Sequence, residues 1–287
     1  MNHANISVIL IIPSASYRTN PFIDAATKLD INILVITDKS QVFSEYYPDN
    51  VITMNFEHWQ ESIENIREWS ERYDLKAVIG VDEESIILAA KLSESLCIEH
   101  NSLESVKLTK NKYLMRSELK KSGLKSPWFK RFSVHETPKD IIAELSFPCV
   151  LKPTFLSASQ GVLRVNSFEE FGKGCEMLSD LLAEEKVKKR GGDQANWILV
   201  EEYIPGKEVS IEGIVNDGKL KDLAIFDKPE SLEGPIFPET IFITPTILDE
   251  HLQSSLLETA QSALQALGIS KGPVHIELRI NDHGNYI

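Results

Sequence analysis

The sequence of 287 residues contains few cysteines and no long apolar run. Cys97, Cys149 and Cys175 are too widely spaced for a metal site or a disulfide framework, which predicts reduced thiols in a cytoplasmic protein. No apolar stretch approaches the roughly 20 residues of a membrane-spanning helix. The first stretch, residues 6–12, is short and lacks a basic leader and a small-residue cleavage site, so we do not expect a signal peptide.

Basic residues are in the minority, since the formal net charge is −13 at pH 7. A phosphate backbone repels a net anion, so broad nucleic-acid binding is not expected. The one basic cluster, Lys186–Arg190, lies between acidic residues, and we interpret it as a solvated, mobile hairpin or insert. The length and the ordinary hydrophobic fraction of 42% predict a globular protein of about two domains.

Glycine is missing where a dinucleotide-binding protein needs it. The first predicted strand, residues 7–12, runs into Pro13–Arg18 without the glycines that let a pyrophosphate approach the backbone, which disfavours an NAD dehydrogenase. Further strand patterns alternate with helix patterns over the first hundred residues. The strands are predicted at residues 31–37, 51–56 and 76–81, and the helices at residues 21–29, 57–73 and 83–96. This alternation predicts a parallel sheet with both faces covered.

Short strand patterns dominate after residue 125. Residues 102–122 are predicted as one helix that ends at Gly123, and Pro127 then breaks the pattern. Later strands are predicted at residues 128–132, 149–154, 161–165, 197–203, 209–215, 220–227 and 273–280, and helices at 138–145, 168–182 and 248–267. We therefore divide the chain into an α/β domain (1–100), a connecting helix (101–124) and two lobes (125–203 and 204–287).

A lysine at the end of a buried strand is the first unusual feature. Alternation places Lys152 on the same face as Val150, so its stem is expected to be buried and its ammonium to need an anion. The segment Thr154–Val162 carries two serines and a glycine, whose N–H and hydroxyl groups could hold a phosphate. A structural salt bridge for the lysine and a plain hairpin for the segment are the alternatives. The segment is not a Walker A loop.

Carboxylates at strand ends are the second unusual feature. The predicted strand from Trp197 runs into Glu201 and Glu202, and a Pro-Gly turn leads to Glu208. A carboxylate at the strand end could accept from the adenine amine, and Glu208 from two ribose hydroxyls. A solvated acidic hairpin is the alternative.

The last motif is the strand pattern at residues 273–280. A period of two places His275, Glu277 and Arg279 on the face opposite the apolar residues. This face is either the wet side of a sheet or a cleft wall where the carboxylate binds Mg²⁺.

Taken in order, these segments resemble the ATP-grasp superfamily, and in particular its biotin-carboxylase-like, amino-acid ligase branch. The match consists of Val-Leu-Lys-Pro, Ser-Ala-Ser-Gln-Gly-Val, Val-Glu-Glu-Tyr-Ile-Pro-Gly-Lys-Glu-Val-Ser and His-Ile-Glu-Leu-Arg. The resemblance covers essentially the whole chain and implies an α/β plus α+β fold class. An N-terminal parallel-sheet, Rossmann-like pre-ATP-grasp domain would precede an ATP-grasp domain with a small lobe (125–203) and a large lobe (204–287).

The resemblance implies a role for each motif residue. Lys112 and Lys152 match lysines near the ATP phosphates, Glu208 matches the ribose-binding acid, and Glu277 matches the first magnesium ligand. The loop over the phosphates corresponds to Ser157, Ser159, Gln160, Gly161 and Val162. The adenine clamp corresponds to Glu201, Glu202, Tyr203 and Ile204. His275 fits the branch that ligates amino acids and is our candidate catalytic residue.

The implied activity is ATP-dependent ligation with ATP and Mg²⁺ as cofactors. A carboxylate would form an acyl phosphate, and an amine, expected to be that of an amino acid, would displace phosphate to form an amide. Glu239 lies in the region that often faces the acceptor substrate. The partners would be small carboxylates and amines, and relatives are often homodimers. A biotin-carboxylase-like enzyme that activates bicarbonate and a non-catalytic ATP-binding module are the alternatives.

One departure from the family concerns the C-terminal end of the sequence. The family's next strand carries a second metal-binding Glu, an Asn two residues later and usually an Arg, and the sequence stops at Ile287 before them. We expect a fragment, with natural truncation as the alternative. A Glu-x-Asn-x-Arg pattern in the coding sequence after Ile287 would decide between the two. With Glu277 as the only acidic ligand, two Mg²⁺ ions are expected to bind poorly to the chain as written.

Overall fold

A computed structural model of the chain describes residues 6–39, 48–141, 144–229, 233–237 and 241–287. The chain divides into two compact units, residues 1–107 and 108–287. The parallel sheet and the two antiparallel sheets reported below confirm the predicted α/β plus α+β fold class. The exact bounds of the predicted domains and lobes stay a prediction, and Glu239 lies outside the described residues.

The first unit is built on a parallel sheet with the strand order β3-β2-β1-β4. Its strands are β1 (Ile6–Ile11), β2 (Asn32–Thr37), β3 (Val51–Thr53) and β4 (Asp74–Gly80), and its helices are α1 (Thr19–Leu29), α2 (Ile63–Arg72) and α3 (Ile86–Ser95). Successive residues of β1 enter different cores, with Ile9 beside Trp69 and Leu92, and Leu10 beside Val35. Both faces of the strand are therefore covered, which explains its continuous apolar run.

The connecting segment is two helices, so the prediction of one helix over residues 102–122 is wrong. Helix α4 spans Leu103–Lys110 and helix α5 spans Lys112–Lys121. Asn111 between them has an extended backbone, and its side chain accepts from the N–H groups of Tyr113 and Leu114 at 3.0 and 3.1 Å. This N-cap bond starts a new helix, since it satisfies N–H groups that lack a partner within the helix.

The second unit begins with an antiparallel sheet of order β5-β8-β6-β7, which we call the first antiparallel sheet. Its strands are β5 (Phe129–Ser133), β6 (Cys149–Pro153), β7 (Leu163–Val165) and β8 (Trp197–Glu202), and the helices α6 (Pro138–Ile141) and α7 (Phe168–Ala183) accompany it. Leu151 packs in the core with Phe171 and Val200. Because neighbours alternate along β6, Lys152 and Val150 lie on the other face, as predicted.

The basic cluster Lys186–Arg190 lies in helix α8 (Glu185–Gly191), so its prediction as a mobile hairpin or insert is wrong. The charged side chains are exposed, but Val187 packs against the core of the first antiparallel sheet. Gly191 ends the helix so close to the ring of Phe155 that a Cβ would lie 2.3 Å from it. One apolar side chain and one close approach thus connect this strongly charged helix to the core.

The second antiparallel sheet has the order β10-β9-β11-β12. Its strands are β9 (Lys207–Asn216), β10 (Lys219–Asp227), β11 (Gly272–Asn281) and β12 (Gly284–Tyr286), and helix α9 (Glu250–Ala266) covers it. The turn between β9 and β10 is a tight hairpin, because Asp217 and Gly218 have the positive φ values of 49° and 75° that such a turn needs. Among the described residues, no helix is long and apolar enough to cross a membrane.

Candidate functional site

Glu201 is buried between two cationic side chains, a set that we call the Glu201 cluster. Its Oε2 lies 2.5 Å from Nζ of Lys152, and its Oε1 accepts from Nε of Arg116 at 2.8 Å. Strands β6 and β8 pair so that Glu201 is opposite Val150, which places it diagonally across from Lys152. Arg116 comes from helix α5. Only 4% of Glu201 is exposed, so the carboxylate depends on these two cations rather than on water.

The charges of the Glu201 cluster shift the pKa values of its members. Burial opposes ionisation of Glu201, but the Arg116 guanidinium and the Lys152 ammonium outweigh it and lower the pKa of Glu201 to about 2. Burial also lowers the pKa of Lys152, and the carboxylates of Glu201 and of Glu277 oppose that shift. Glu277 lies on β11 of the second antiparallel sheet, and its influence on the pKa of Lys152 is weaker than that of Glu201.

Lys112 is tied to the segment that follows β6. As the first residue of α5, it donates its backbone N–H to the carbonyl of Thr154 at 2.8 Å. Its ammonium contacts the carbonyl of Leu156. The predicted phosphate-binding lysine thus lies against the start of the predicted phosphate-binding loop.

The loop at residues 157–162 is a compact turn with unusual backbone angles. Ser159 and Gly161 have φ values of 54° and 72°. A Cβ at Gly161 would also lie 2.9 Å from two leucine side chains of α7, so glycine is required here. The N–H groups of Gln160 and Val162 donate at 3.2 Å to the carbonyls of Ser157 and Ser159. These two predicted phosphate donors are therefore bonded inside the loop in this conformation.

The segment assigned to adenine starts where β8 ends. The N–H of Glu202 donates to the carbonyl of Trp128 at 2.8 Å, and its carboxylate accepts from the N–H of Trp128 at 3.2 Å. The N–H of Tyr203 makes a longer bond of 3.4 Å to Pro148. The carbonyl of Ile204 accepts from Arg279 at 3.0 Å. Glu202 thus continues the sheet, and the chain leaves it from Tyr203 onward.

Lys228 bridges Glu208 and Glu277, and we call these three residues the Lys228 cluster. The ammonium lies 2.7 Å from Oε1 of Glu208 and also contacts Oε1 of Glu277. Arg279 holds the other oxygen of Glu208 at 3.1 Å. Only 8% of the Lys228 side chain is exposed, and its ammonium lies 4.8 Å from the centre of the Phe242 ring. Two predicted nucleotide-site carboxylates therefore converge on one cation.

His275 extends this cluster along the same face of the second antiparallel sheet. Its Nδ1 lies 2.7 Å from Glu212, and its Nε2 lies 3.7 Å from Glu277. Glu277 and then Glu212 raise the pKa of His275 to about 9, although burial opposes the shift. In this arrangement the imidazole is a cation at neutral pH, so it does not act as a proton acceptor. The role of His275 in catalysis stays a prediction.

Glu277 is held in its charged form by its neighbours. Burial opposes ionisation, but His275 and Lys228 outweigh it and lower the pKa of Glu277 to about 2. Its cross-strand partner on β9 is Ser210, on the face that also carries Glu208. The hydroxyl of Ser210 is fully buried and has no hydrogen-bond partner within the described part of the chain.

The donor set of the Lys228 cluster fits a magnesium ion that arrives with phosphates. The described residues contain no group of three or more His, Cys, Asp or Glu that could hold a metal alone. Magnesium in phosphate-transfer sites is commonly held by one or two carboxylates together with phosphate oxygens and water. Glu277 provides such a carboxylate, and it already contacts a cation, the Lys228 ammonium.

Three charged residues of these clusters were missed from the sequence: Arg116, Lys228 and Glu212. Arg116 lies one helical turn after Lys112, so spacing places both on one side of α5. Lys228 follows the last residue of β10, and the register of the β9–β10 hairpin places it opposite Glu208. A bulge between Asp222 and Ala224 shifts this register by one residue, so counting outward from the Asp-Gly turn would have placed Lys228 opposite Lys207.

Comparison with protein families gives one match that covers the motifs. The family described as the ATP-grasp domain matches residues 145–287, which include Lys152, Glu201, Glu208 and Glu277. Lys112 and Arg116 lie before the matched range.

Two curated relatives are ligases that act on amino acids by name. The alanine–anticapsin ligase of Bacillus subtilis strain 168 is 28% identical over 267 residues, which are 87% of this chain and 56% of that protein. The D-alanine–D-alanine ligase of Francisella tularensis subsp. holarctica strain LVS is 26% identical over 214 residues, 73% of this chain and 66% of that protein. The chain thus spans about half the length of the alanine–anticapsin ligases that it matches.

Solved structures share the fold of the whole chain. An L-amino acid ligase from Bacillus licheniformis aligns with a TM-score of 0.80 and 24% identity, covering 99% of this chain and 67% of that one. A D-alanine–D-alanine ligase from Bacillus anthracis aligns with a TM-score of 0.66 and 18% identity, covering 98% and 84%. At these identities, the likeness shows a common architecture.

Proposed function

Because this chain belongs to the ATP-grasp superfamily, in its carboxylate–amine ligase branch, we propose that the protein uses ATP to join a carboxylate to an amine. At least one of the two substrates is an amino acid in this proposal. The observation that carries it is the pair of charged clusters, with Lys152 at Glu201 on the first antiparallel sheet and Glu208 and Glu277 at Lys228 on the second. Phosphate-binding cations and a metal-binding carboxylate are what a magnesium–triphosphate complex requires.

In the proposed reaction, an oxygen of the substrate carboxylate attacks the γ-phosphorus of ATP. The bond from that phosphorus to the β–γ bridging oxygen breaks, and ADP leaves with the electron pair. The amine of the second substrate then attacks the acyl carbon of the acyl phosphate. Phosphate leaves, and the nitrogen loses a proton as the amide forms. Negative charge grows on phosphoryl oxygens, so the protein's main task is to place cations there.

The motif residues divide this task. Lys112 and Lys152 would contact the phosphates, Glu208 would accept from the ribose hydroxyls, and Glu277 would hold Mg²⁺. Glu201 would keep Lys152 in position and also accept from the adenine amine, because a carboxylate offers about four acceptor sites. When bound, magnesium supplies charge neutralisation at the phosphoryl oxygens.

Nucleotide binding tests the site assignment directly. We expect Lys152→Ala to weaken ATP binding roughly 10- to 100-fold, because a charge-assisted bond contributes about 1.5–3 kcal/mol. Glu208→Ala should weaken it roughly tenfold through lost ribose contacts. Isothermal titration calorimetry with a non-hydrolysable ATP analogue and Mg²⁺ measures both. Lys173→Ala, an exposed lysine on α7, is the matched control. Unchanged affinity in both site variants would refute the assignment.

Substrate-dependent ADP release tests the reaction itself. Pairs of amino acids are mixed with ATP and the protein, and ADP and the dipeptide are quantified. We expect ADP release only with a matching pair, in equal amount to the amide. Release with bicarbonate and without amino acids would instead indicate the bicarbonate-activating reaction. ATP binding without release in any mixture would indicate a non-catalytic nucleotide-binding protein.

A further inference from the structure

We propose that the Lys228 ammonium is an internal counter-ion that occupies the cation position of the nucleotide-free site and must leave Glu277 before metal–nucleotide can bind. The inference rests on the proposed function, because it concerns the same site. It assigns Lys228 a role in setting metal affinity and in coupling metal binding to nucleotide binding.

The geometry of the two carboxylates is the first support. Oε1 of Glu208 and Oε1 of Glu277 both contact the Lys228 ammonium, although the two residues lie on different strands. Two anionic oxygens brought to one point repel each other unless a cation lies between them. The side chain of Lys228 supplies that cation and is itself almost fully buried, with 8% exposed.

Ser210 is a further buried polar group on the face of the sheet that carries the two carboxylates. Ser210 is the cross-strand partner of Glu277 and lies on the face of β9 that also carries Glu208. Its hydroxyl is fully buried, and within the described residues it has no hydrogen-bond partner. A lysine ammonium has three donors, and its two described hydrogen bonds go to Glu208 and Glu277.

Exchange is expected because both cations bind the same carboxylate. Magnesium binds carboxylate oxygens at about 2.0–2.1 Å, and Glu277 already contacts the Lys228 ammonium. Two cations held on one carboxylate repel each other at such short distances. Lysine has a flexible four-carbon stem, so Lys228 can release the carboxylates. A triphosphate offers its ammonium new anionic partners.

This exchange predicts a thermodynamic coupling. Metal alone must compete with Lys228, so it should bind weakly to the free protein. Nucleotide draws the ammonium away, so metal and nucleotide should strengthen each other's binding, and by linkage both effects must be equal. Removing the ammonium should strengthen binding of the metal alone and abolish most of the coupling.

Binding of Mn²⁺ without nucleotide tests the inference, with free Mn²⁺ measured by electron paramagnetic resonance. We expect Lys228→Met to bind Mn²⁺ at least roughly fivefold more tightly than the unaltered protein, within the usual range of coupling between sites. Lys219→Met, an exposed lysine on β10, should bind like the unaltered protein. Equal or weaker Mn²⁺ binding by Lys228→Met would overturn the proposal.

A second measurement keeps the inference testable if Lys228→Met does not fold. In the unaltered protein, a non-hydrolysable ATP analogue should tighten Mn²⁺ binding, and Lys228→Arg, which keeps the charge, should behave similarly. Absence of this coupling while the analogue binds would overturn the inference and leave the proposed function intact. Failure of the analogue to bind at all would refute the proposed function, whereas the Mn²⁺ titration without nucleotide would still decide on Lys228.

Discussion

The Glu201 cluster and the Lys228 cluster have opposite charge arrangements. In the first, one carboxylate lies between Arg116 and Lys152, and in the second, one ammonium lies between Glu208 and Glu277. The first is closed to solvent, with 5% of the Glu201 side chain exposed. The second opens toward solvent on one side, with 47% of the Glu277 side chain exposed.

This difference separates a permanent ion pair from an exchangeable one. Water cannot replace Arg116 or Lys152 at a buried carboxylate, so these contacts must persist for Glu201 to stay charged. Water and incoming ions can reach Glu277, so its bond to Lys228 can be replaced at small cost. A rigid cluster on one sheet and a replaceable cation on the other would let the site keep its shape while its ligands change.

The largest expected effect comes from neutralising Glu201, and the same change at Glu277 is the comparison. Glu201→Gln leaves Lys152 and Arg116 buried with no anion, and we expect it to lower the free energy of unfolding by about 3–5 kcal/mol. Glu277→Gln should lower it by at most about 1 kcal/mol, because solvent screens the half-exposed pair. Urea unfolding followed by tryptophan fluorescence measures both.

A variant at an exposed ion pair is the control for Glu201→Gln and Glu277→Gln. Glu169→Gln breaks an ion pair with Lys173 at the surface of α7 and should leave the unfolding midpoint unchanged. Similar losses in Glu201→Gln and Glu277→Gln would remove the distinction between a permanent and an exchangeable cluster.

A smaller effect on stability is expected at alkaline pH. There His275, which lies beside the Lys228 cluster, loses its proton. The pKa of His275 is about 9 in the folded protein and has an ordinary value of 6.5. A raised pKa stabilises the fold fully below pH 6.5, and the contribution is lost as the pH rises through 9. We expect the melting temperature to fall less between about pH 6 and pH 9.5 in His275→Gln than in the unaltered protein.

The control for this titration is another exposed histidine. His251→Gln, at the start of α9, should show the same pH dependence as the unaltered protein. If His275→Gln also retains the full alkaline decline, then His275 does not share its proton with Glu277 and Glu212, and the described contacts are not maintained in solution.

The fold could largely be predicted from the sequence because local patterns carry it. The period of two in β11 gave the correct face for Glu277, and the Asp-Gly turn gave the hairpin between β9 and β10. Asn111 was one exception, since helical spacing continues through residues 102–122. Its N-cap bonds end that continuity, and asparagine within a helical pattern was the available signal.

The candidate site was harder to predict because its partners are distant in sequence. Glu201 and Arg116 are 85 residues apart, and no local period relates them. Sequence reasoning therefore described Glu201 as an acceptor for adenine, whereas both of its oxygens already accept from cations. The contact of Lys228 with Glu208 was also out of reach, because a bulge between Asp222 and Ala224 shifts the hairpin register by one residue. Neither this bulge nor the packing between a helix and two sheets follows a local period.

The smallest expected effect comes from removing the Ser210 hydroxyl. This change tests whether the Lys228 cluster is a site for ions or only part of the sheet. Because this hydroxyl has no partner within the described residues, Ser210→Ala removes a desolvated group and loses no bond. We expect the free energy of unfolding to change by less than about 1 kcal/mol, with stabilisation as readily as loss. Mn²⁺ affinity in the presence of the ATP analogue should fall a few-fold if the hydroxyl serves an ion. A large loss of stability would instead assign Ser210 to the sheet itself, and only the two carboxylates would then define the cation position.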